Sequence, residues 1–225
     1  MRVGISINGV LRDYFGQIEK IHTKYFPPEE GEDGIKVLDY NLDKWVTFPK
    51  EESEQAEIEF NPDFNPFDSK DRDSVSDVEL NKVEEEVTLN EFLYERCTLE
   101  VFGSADEMVP QAINTLNNLI LEYPEVEFVL TSREVGLSVP STYFFLSKTS
   151  CSVNEVRFVK DSTEQWGYVD VMVTDHPDVI KSKPENKVCV VVNKDFNSDY
   201  GCDYRIDTIK GLNEVLQGLT KSVDV

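Results

Sequence analysis

The sequence predicts an α/β fold built on a doubly wound, mostly parallel sheet. Five short apolar runs of strand length lie near residues 3, 127, 156, 170 and 188, and a helical pattern or a long connection separates each run from the next. Strands that alternate with helices are typical of parallel sheets, because parallel neighbours need crossover connections. At 225 residues the chain can bury one full α/β core. We therefore expect a single domain over 1–225, with an insertion over 27–96.

The head of the chain combines a strand, a turn and a helix. Residues 3–7 are predicted to form a buried strand, and Gly9 permits a turn with unusual backbone angles. Apolar residues at three- and four-residue steps then predict a helix over 10–25. In open α/β sheets, ligands bind at junctions of this kind. Arg12 is expected either to bind an anion there or to be a solvated surface residue.

The insertion differs in composition from the rest of the chain. The pattern over 36–48 predicts a short hairpin, and residues 51–91 then carry 15 acidic and 3 basic side chains, more than half of the net charge of -22. Such a segment has little apolar area to offset the conformational entropy of folding, so we expect a partly extended arm. Phe60, Phe64 and Phe67 are interpreted as anchors that dock on a partner or on this protein. A flexible loop with incidental aromatics is the alternative.

Regular structure is predicted again after the insertion. Residues 99–103 suit a strand or a docking segment, and Pro110 begins a helix that extends to residue 121. A buried strand over 127–132 ends in Thr131 and Ser132. The remaining predicted elements are a helix from 141, strands over 153–159, 168–174 and 187–193, and a terminal helix over 211–219.

Composition and charge exclude several classes of partner. With 44 acidic against 22 basic residues, the surface is unsuited to nucleic acid or to an anionic membrane, since both need a large positive patch. We find no signal-peptide pattern and no apolar run near the roughly 20 residues of a membrane span. The four cysteines lack metal-type spacing and are expected to be reduced thiols, at Cys97, Cys151, Cys189 and Cys202.

The first junction resembles a known catalytic motif in altered form. The stretch Ser-Ile-Asn-Gly-Val-Leu from Ser6 resembles the first motif of haloacid-dehalogenase-like (HAD-like) phosphohydrolases, Asp-x-Asp-Gly-Val/Thr-Leu, in particular of their 5'(3')-deoxyribonucleotidase branch. In that family the first aspartate attacks phosphorus and ligates magnesium, and the second protonates the leaving group. Ser6 and Asn8 stand at these two positions. The resemblance therefore implies a HAD-like Rossmannoid fold whose catalytic carboxylates are replaced.

Two further positions follow the family's second and third motifs. In the second motif a Ser or Thr at a strand end hydrogen-bonds the phosphoryl oxygens, and Thr131 or Ser132 would hold that position. Lys160 lies ten residues before Asp170, roughly where the nucleotidase branch keeps the lysine of its third motif. A surface lysine in a loop is the alternative for Lys160.

The fourth motif, Gly-Asp-x-x-x-Asp-Asp, is matched in part. Asp170 and Asp175 fit it, while Thr174 stands where the family usually has an aspartate. Magnesium prefers several carboxylate oxygens, so Asp175 alone implies no metal site beyond weak residual magnesium binding, and we expect no cofactor. A nucleophilic Ser6 would need an adjacent base, and Asp13, Asp175 and His176 are the residues expected nearby.

The resemblance covers about 1–25 and 97–220 and implies a pseudoenzyme. The acidic insertion takes the place of the family's cap domain, which in the nucleotidase branch selects the substrate. The insertion is too acidic to bind a nucleotide phosphate. We therefore expect a non-catalytic structural or assembly component, in which the insertion at the cap position is an arm that binds a partner. The alternatives are a phosphate- or nucleotide-binding module and a residual magnesium-dependent nucleotidase-type phosphohydrolase.

A second resemblance concerns the source of such a protein. The opening, together with residues 100–105 and 143–148, is similar to HAD-like proteins encoded among the virion genes of crAss-like tailed phages. This implies a part of the neck or tail, possibly in a ring, located in the virion or the host cytoplasm. Its expected partners are other protein subunits in a homo- or hetero-oligomer.

Overall fold

A computed structural model of the protein describes residues 1–28, 34–40, 42, 45–51 and 82–221. The chain divides into two compact units, one made of Met1–Leu42 with Asn90–Val225 and the other of Asp43–Leu89. The smaller unit contains an antiparallel pair of strands, β2 (Trp45–Glu51) and β3 (Lys82–Thr88). Phe60, Phe64 and Phe67 lie outside the described residues.

The larger unit contains a six-stranded sheet in which every neighbouring pair is parallel. The prediction of an α/β fold with a mostly parallel sheet is confirmed. Beginning at the head of the chain, its strands are β1 (Arg2–Ser6), β4 (Glu127–Arg133), β5 (Glu155–Val159), β6 (Val171–Thr174), β7 (Val188–Val192) and β8 (Tyr204–Ile206).

The helical segments connect these strands. The α-helices are α1 (Tyr14–Tyr25), α2 (Leu89–Glu91), α3 (Ala112–Glu122), α4 (Ser138–Lys148), α5 (Pro177–Lys181) and α6 (Leu212–Lys221). Two π-helical turns follow α2, at Phe92–Arg96 and Leu99–Gly103. Shorter 3₁₀ segments lie at Ser162–Tyr168, Asp195–Asn197 and Ile209–Gly211.

The strand order is β5-β4-β1-β6-β7-β8, with β1 at the centre. The chain moves outward from β1 in one direction through β4 and β5, and then in the other direction from β6 to β8. In doubly wound sheets the crevice at this reversal of strand order, beyond the carboxyl ends of the strands, is where ligands bind. The carboxyl ends of β1 and β6 are therefore the expected location of a site.

The core covers both faces of the sheet. Alternate residues of a strand point to opposite faces, and Val3 and Ile5 of β1 join one cluster with Leu116 of α3 and Leu216 of α6. The opposite face carries a smaller cluster, formed by Val129, Trp166, Val169, Met172, Val179, Ile180, Cys189 and Val191. Burial on both faces explains why the strands are Val-rich rather than alternating. All four cysteines are free thiols.

Several predicted elements differ from those observed. The first helix begins at Tyr14 rather than at residue 10, because Gly9 has a φ of +75° and the chain turns tightly there before Asp13 caps the helix by accepting the Gly16 N–H. Residues 99–103 form a π-helical turn with Val101 and Phe102 buried, so the predicted strand was wrong.

Two more differences lie at the edges of the fold. The predicted hairpin over 36–48 was wrong, since residues 34–40 have no regular secondary structure and β2 pairs with β3 instead. The edge strand β8 was not predicted, because it has three residues and two of them are exposed.

Candidate functional site

The carboxyl ends of three adjacent strands bring together most of the predicted site residues. Ser6 ends β1 and is paired in register with Thr131 of β4, and Thr174 ends β6 on the other side of β1. Asn8 and Asp175 follow β1 and β6. Parallel strands end at the same edge of a sheet, which is why residues distant in the sequence meet here.

Ser6 makes its hydrogen bonds to neutral groups. Its hydroxyl lies 2.9 Å from the Thr174 Oγ1 and 3.4 Å from the Gln165 Oε1, and Thr131 donates to the same Gln165 oxygen at 2.6 Å. The His176 Nε2 lies 3.3 Å from the Ser162 Oγ, and its Nδ1 accepts the Asp178 N–H at 3.2 Å. Both ring nitrogens of the proposed base are thus engaged away from Ser6.

A buried ion pair lies beside these strand ends. The guanidinium of Arg12 pairs with the carboxylate of Glu134, which follows β4, and neither side chain is exposed to solvent. Arg12 also donates to the Phe102 carbonyl oxygen at 2.7 Å, and its guanidinium carbon lies 5.1 Å from the centre of the Phe102 ring. Arg12 is therefore neither a solvated residue nor an exposed anion-binding group, and both predictions for it were wrong.

The ion pair is part of a closed circuit of hydrogen bonds through two motif residues. The Asn8 Oδ1 accepts from the Arg12 Nε at 2.9 Å, and the Asn8 Nδ2 donates to the Ser132 Oγ at 3.4 Å. Ser132 donates in turn to the Glu134 Oε1 at 2.9 Å. Thr142 of α4 accepts from Arg12 at 2.7 Å and donates to the other Glu134 oxygen. The side chains of Asn8 and Ser132 are thus committed to internal partners.

Asp175 is fully buried and only half satisfied. Its Oδ1 accepts the Tyr40 hydroxyl at 2.7 Å, whereas none of the residues that the structure describes donates a hydrogen bond to its Oδ2. The Oδ2 lies against Gly9, where an added Cβ would be 1.9 Å from it. Burial raises the pKa of Asp175 to about 6, and the Tyr40 hydrogen bond opposes that rise.

Aromatic side chains cover this end of the sheet. The Tyr40 ring lies 4.1 Å from the His176 ring and 4.8 Å from the Phe15 ring, measured between centroids. Phe15 contacts Phe196 at 5.6 Å. Burial raises the pKa of the Tyr40 hydroxyl well above its ordinary value and lowers the pKa of His176 to about 4. Both groups are therefore uncharged at neutral pH.

The space left between these side chains is small. A cavity of about 60 Å³ remains, and it is lined by Ser6, Asn8, Tyr14, Tyr40, Leu42, Tyr94, Thr131, Ser132, Arg133, Gln165 and His176. Pockets that hold small organic ligands have volumes of roughly 300–1,000 Å³. The cavity is therefore smaller than a pocket of that kind.

Two predicted site residues lie apart from this cavity. Lys160 is exposed after β5, and its backbone carbonyl accepts from the Arg133 Nε at 3.2 Å. Asp170 is exposed before β6, where its carboxylate accepts the Arg2 N–H at 2.8 Å. Because Asp170 precedes the strand and Asp175 follows it, the two aspartates lie at opposite ends of β6.

The residues at the strand ends do not fit the magnesium ion that the HAD-like resemblance implies. Magnesium needs near-octahedral oxygen ligands. Asp175 offers one free oxygen, buried against Gly9, and the Asn8 side-chain oxygen faces the positive charge of Arg12. Within the part of the chain that the structure describes, no group of three or more His, Cys, Asp or Glu side chains could hold a metal ion.

Sequence reasoning missed three residues of the site. Glu134 follows Ser132 by two positions, so in an extended chain both point the same way, and that spacing was the available signal. Tyr40 lies in a segment without regular structure and Gln165 in a 3₁₀ segment. Neither segment has a periodicity that indicates which side chains point inward.

The fold and this site define the molecule as an α/β protein with a parallel doubly wound sheet. A buried ion pair lies beside the point where the strand order reverses. Comparison of the chain with models of known protein families and with the sequences of curated proteins finds no match. None of the described helices has both the length and the apolar character that crossing a membrane requires.

Proposed function

We propose that this protein is a non-catalytic HAD-like protein that serves as a structural or assembly component, in a neck or tail ring of a tailed-phage virion. One observation carries the proposal. The circuit of Asn8, Arg12, Glu134 and Ser132 fills the place where the family keeps a catalytic aspartate and a phosphate-binding hydroxyl. Its side chains hydrogen-bond to one another, and Arg12 donates in addition to Thr142 and to the Phe102 carbonyl oxygen.

The strand order supports the HAD-like assignment. The candidate first, second and fourth motifs end β1, β4 and β6, which are neighbours in the sheet. A site built from these motifs requires that adjacency. The segment between β1 and β4, where the family inserts its cap, contains the unit Asp43–Leu89.

The enzyme alternative lacks an activated nucleophile. A serine nucleophile needs a base within hydrogen-bond reach. The Ser6 hydroxyl instead faces Thr174 and Gln165, and His176 is engaged with Ser162 and Asp178. With Ser6 and Asn8 at the aspartate positions, this geometry supports the absence of phosphohydrolase chemistry.

The nucleotide-binding alternative lacks room. The cavity of about 60 Å³ lies beneath Tyr40 and Leu42 and is far smaller than a nucleotide site requires. Thr131 and Ser132, the candidate phosphate ligands, donate to Gln165 and Glu134. Binding a phosphate here would require breaking these hydrogen bonds.

The assembly role is assigned to the acidic arm. Phe60, Phe64 and Phe67 lie in a segment with 15 acidic residues, and buried aromatic anchors dominate the binding energy of many protein interfaces. We propose that these three side chains contact a neighbouring subunit. The proposed contact requires no ligand in the cavity.

The test is size-exclusion chromatography with light scattering on the full chain and on the variant Phe60→Ala, Phe64→Ala, Phe67→Ala. The proposal predicts that the triple variant loses subunits from the assembly and keeps the unfolding midpoint of wild type. The variant Asp63→Asn, Asp68→Asn is the matched control, since it changes the same segment and retains the aromatics. A triple variant with intact assembly and a free energy of unfolding lower by several kcal/mol would place the anchors on the protein's own core.

A further inference from the structure

The outer face of α4 carries two large aromatic side chains. Its inner side is buried through Phe145 and Leu146, while Tyr143 and Phe144 on the outer side are each about half exposed. A surface helix normally has a polar outer face, as α4 has at Ser147 and Lys148. The two exposed rings are therefore candidates for a contact with another molecule.

Residues beside α4 extend this apolar surface. A Cβ added to Gly103 would lie 2.7 Å from the Leu99 Cδ1 and 3.2 Å from the Phe144 Cδ1, so these two side chains close over Gly103 together. Tyr143 packs on Phe158 of β5 with 5.4 Å between ring centroids. We define the α4 face as the exposed apolar residues of α4 and its flanks, namely Leu99, Val135, Leu137, Tyr143 and Phe144. Leu99 and Phe144 adjoin over Gly103, and exposed apolar surface of this kind marks interaction sites.

Most of the α4 face lies in a segment without acidic residues. Residues 135–154 contain no Asp or Glu and one charged residue, Lys148, in a chain that has 44 acidic residues among 225. No other run without an acidic residue is as long. Of the acidic residues next to members of the face in the sequence, Glu134 is buried against Arg12, and Glu100 pairs with Lys24 at 2.5 Å.

We propose that the α4 face is the surface through which two copies of this chain meet in an isologous dimer. Two molecules that each carry a net charge of -22 repel one another, and contact is least unfavourable where neither presents a carboxylate. In a two-fold contact the same patch meets itself, so an uncharged apolar face is its own best partner. A charged partner would leave its charges unpaired on this surface.

This inference goes beyond the proposed function, because it concerns α4 and not the aromatic arm, and neither depends on the other.

The test of the α4 dimer compares two exposed leucines. Leu137 is 62% exposed on the α4 face and Leu121 is 81% exposed on α3, so Leu137→Glu and Leu121→Glu add the same charge in different places. Phe144→Glu is a second variant of the face.

The measurement is light scattering and sedimentation of the full chain as a function of concentration. We expect Leu137→Glu and Phe144→Glu to raise the dissociation constant of the dimer at least tenfold, about 1.4 kcal/mol, because each carboxylate enters a symmetric interface twice. Leu121→Glu should leave it unchanged, and all three variants should retain the wild-type unfolding midpoint. The triple phenylalanine variant of the arm should still form the α4 dimer.

Three results would overturn the proposal. The wild-type chain could be monomeric at a concentration of about 100 µM, which is well above the dissociation constants of specific interfaces. Leu121→Glu could weaken association as much as Leu137→Glu, which would indicate a general effect of charge. Association could also depend on Phe60, Phe64 and Phe67 while Leu137→Glu and Phe144→Glu have no effect, which would assign all contacts to the arm.

Discussion

The guanidinium of Arg12 and the carboxylate of Glu134 are 122 residues apart in the sequence and form an ion pair with no exposure to solvent. Burying two charges is costly, and the pair is stable here because Asn8, Ser132 and Thr142 satisfy the remaining donors and acceptors. The pair lies beside the strand ends where a HAD-like enzyme would hold its phosphate. We regard it as the physical reason why the site is closed.

Removing one member of this pair should be strongly destabilising. Arg12→Met or Glu134→Leu should each lower the free energy of unfolding by about 3–5 kcal/mol, because the remaining charge is left buried without its partner. The double variant Arg12→Met, Glu134→Leu should lose less than either single variant. Urea denaturation measures all three.

The exposed pair between Lys24 and Glu100 supplies the control for these variants. Its side chains are 57% and 33% exposed, so Lys24→Met should destabilise the fold far less than either variant of the buried pair. A double variant as unstable as the sum of the two single variants would contradict this account of the buried pair.

Tyr40 should stabilise the fold through Asp175. Tyr40→Phe removes the 2.7 Å hydrogen bond to a buried carboxylate and should lower the free energy of unfolding by about 2 kcal/mol at neutral pH. Tyr204→Phe, at an exposed tyrosine of β8, should change it by less than about 0.5 kcal/mol. Equal effects of the two variants in chemical denaturation would show that the Tyr40 hydroxyl contributes nothing.

Asp175 should make stability fall as pH rises. Burial raises its pKa from 3.8 to about 6, so the folded state holds this proton where the unfolded state has released it. The stabilising contribution is therefore complete below pH 3.8 and is lost as the pH rises through about 6.

The variant Asp175→Asn removes this proton and keeps an oxygen that accepts from Tyr40. Its free energy of unfolding relative to wild type should rise by about 2 kcal/mol between about pH 4 and about pH 7. His176 has the opposite sign, since burial lowers its pKa to about 4, so comparing variant with wild type at each pH isolates Asp175. Parallel pH profiles for the two proteins would contradict the assignment.

Sequence reasoning identified the parallel sheet because its strands are continuous apolar runs that end in polar residues. The same rule located Ser6, Thr131, Ser132 and Asp175 near one another, since all four lie at strand ends. It could not identify the Arg12 ion pair. Charged residues are rarely buried, and the partner is chosen by the packing of β4 and α4 against the first turn, which no local pattern encodes.

We propose that the site performs no phosphoryl transfer. The most direct measurement is phosphate release from deoxynucleoside monophosphates and from an aryl phosphate, in the presence of magnesium, by wild type and by Ser6→Ala. We predict that both proteins release phosphate no faster than buffer does, because neither a carboxylate nucleophile nor a base for Ser6 is in place. Release by the wild type that Ser6→Ala abolishes would contradict the account.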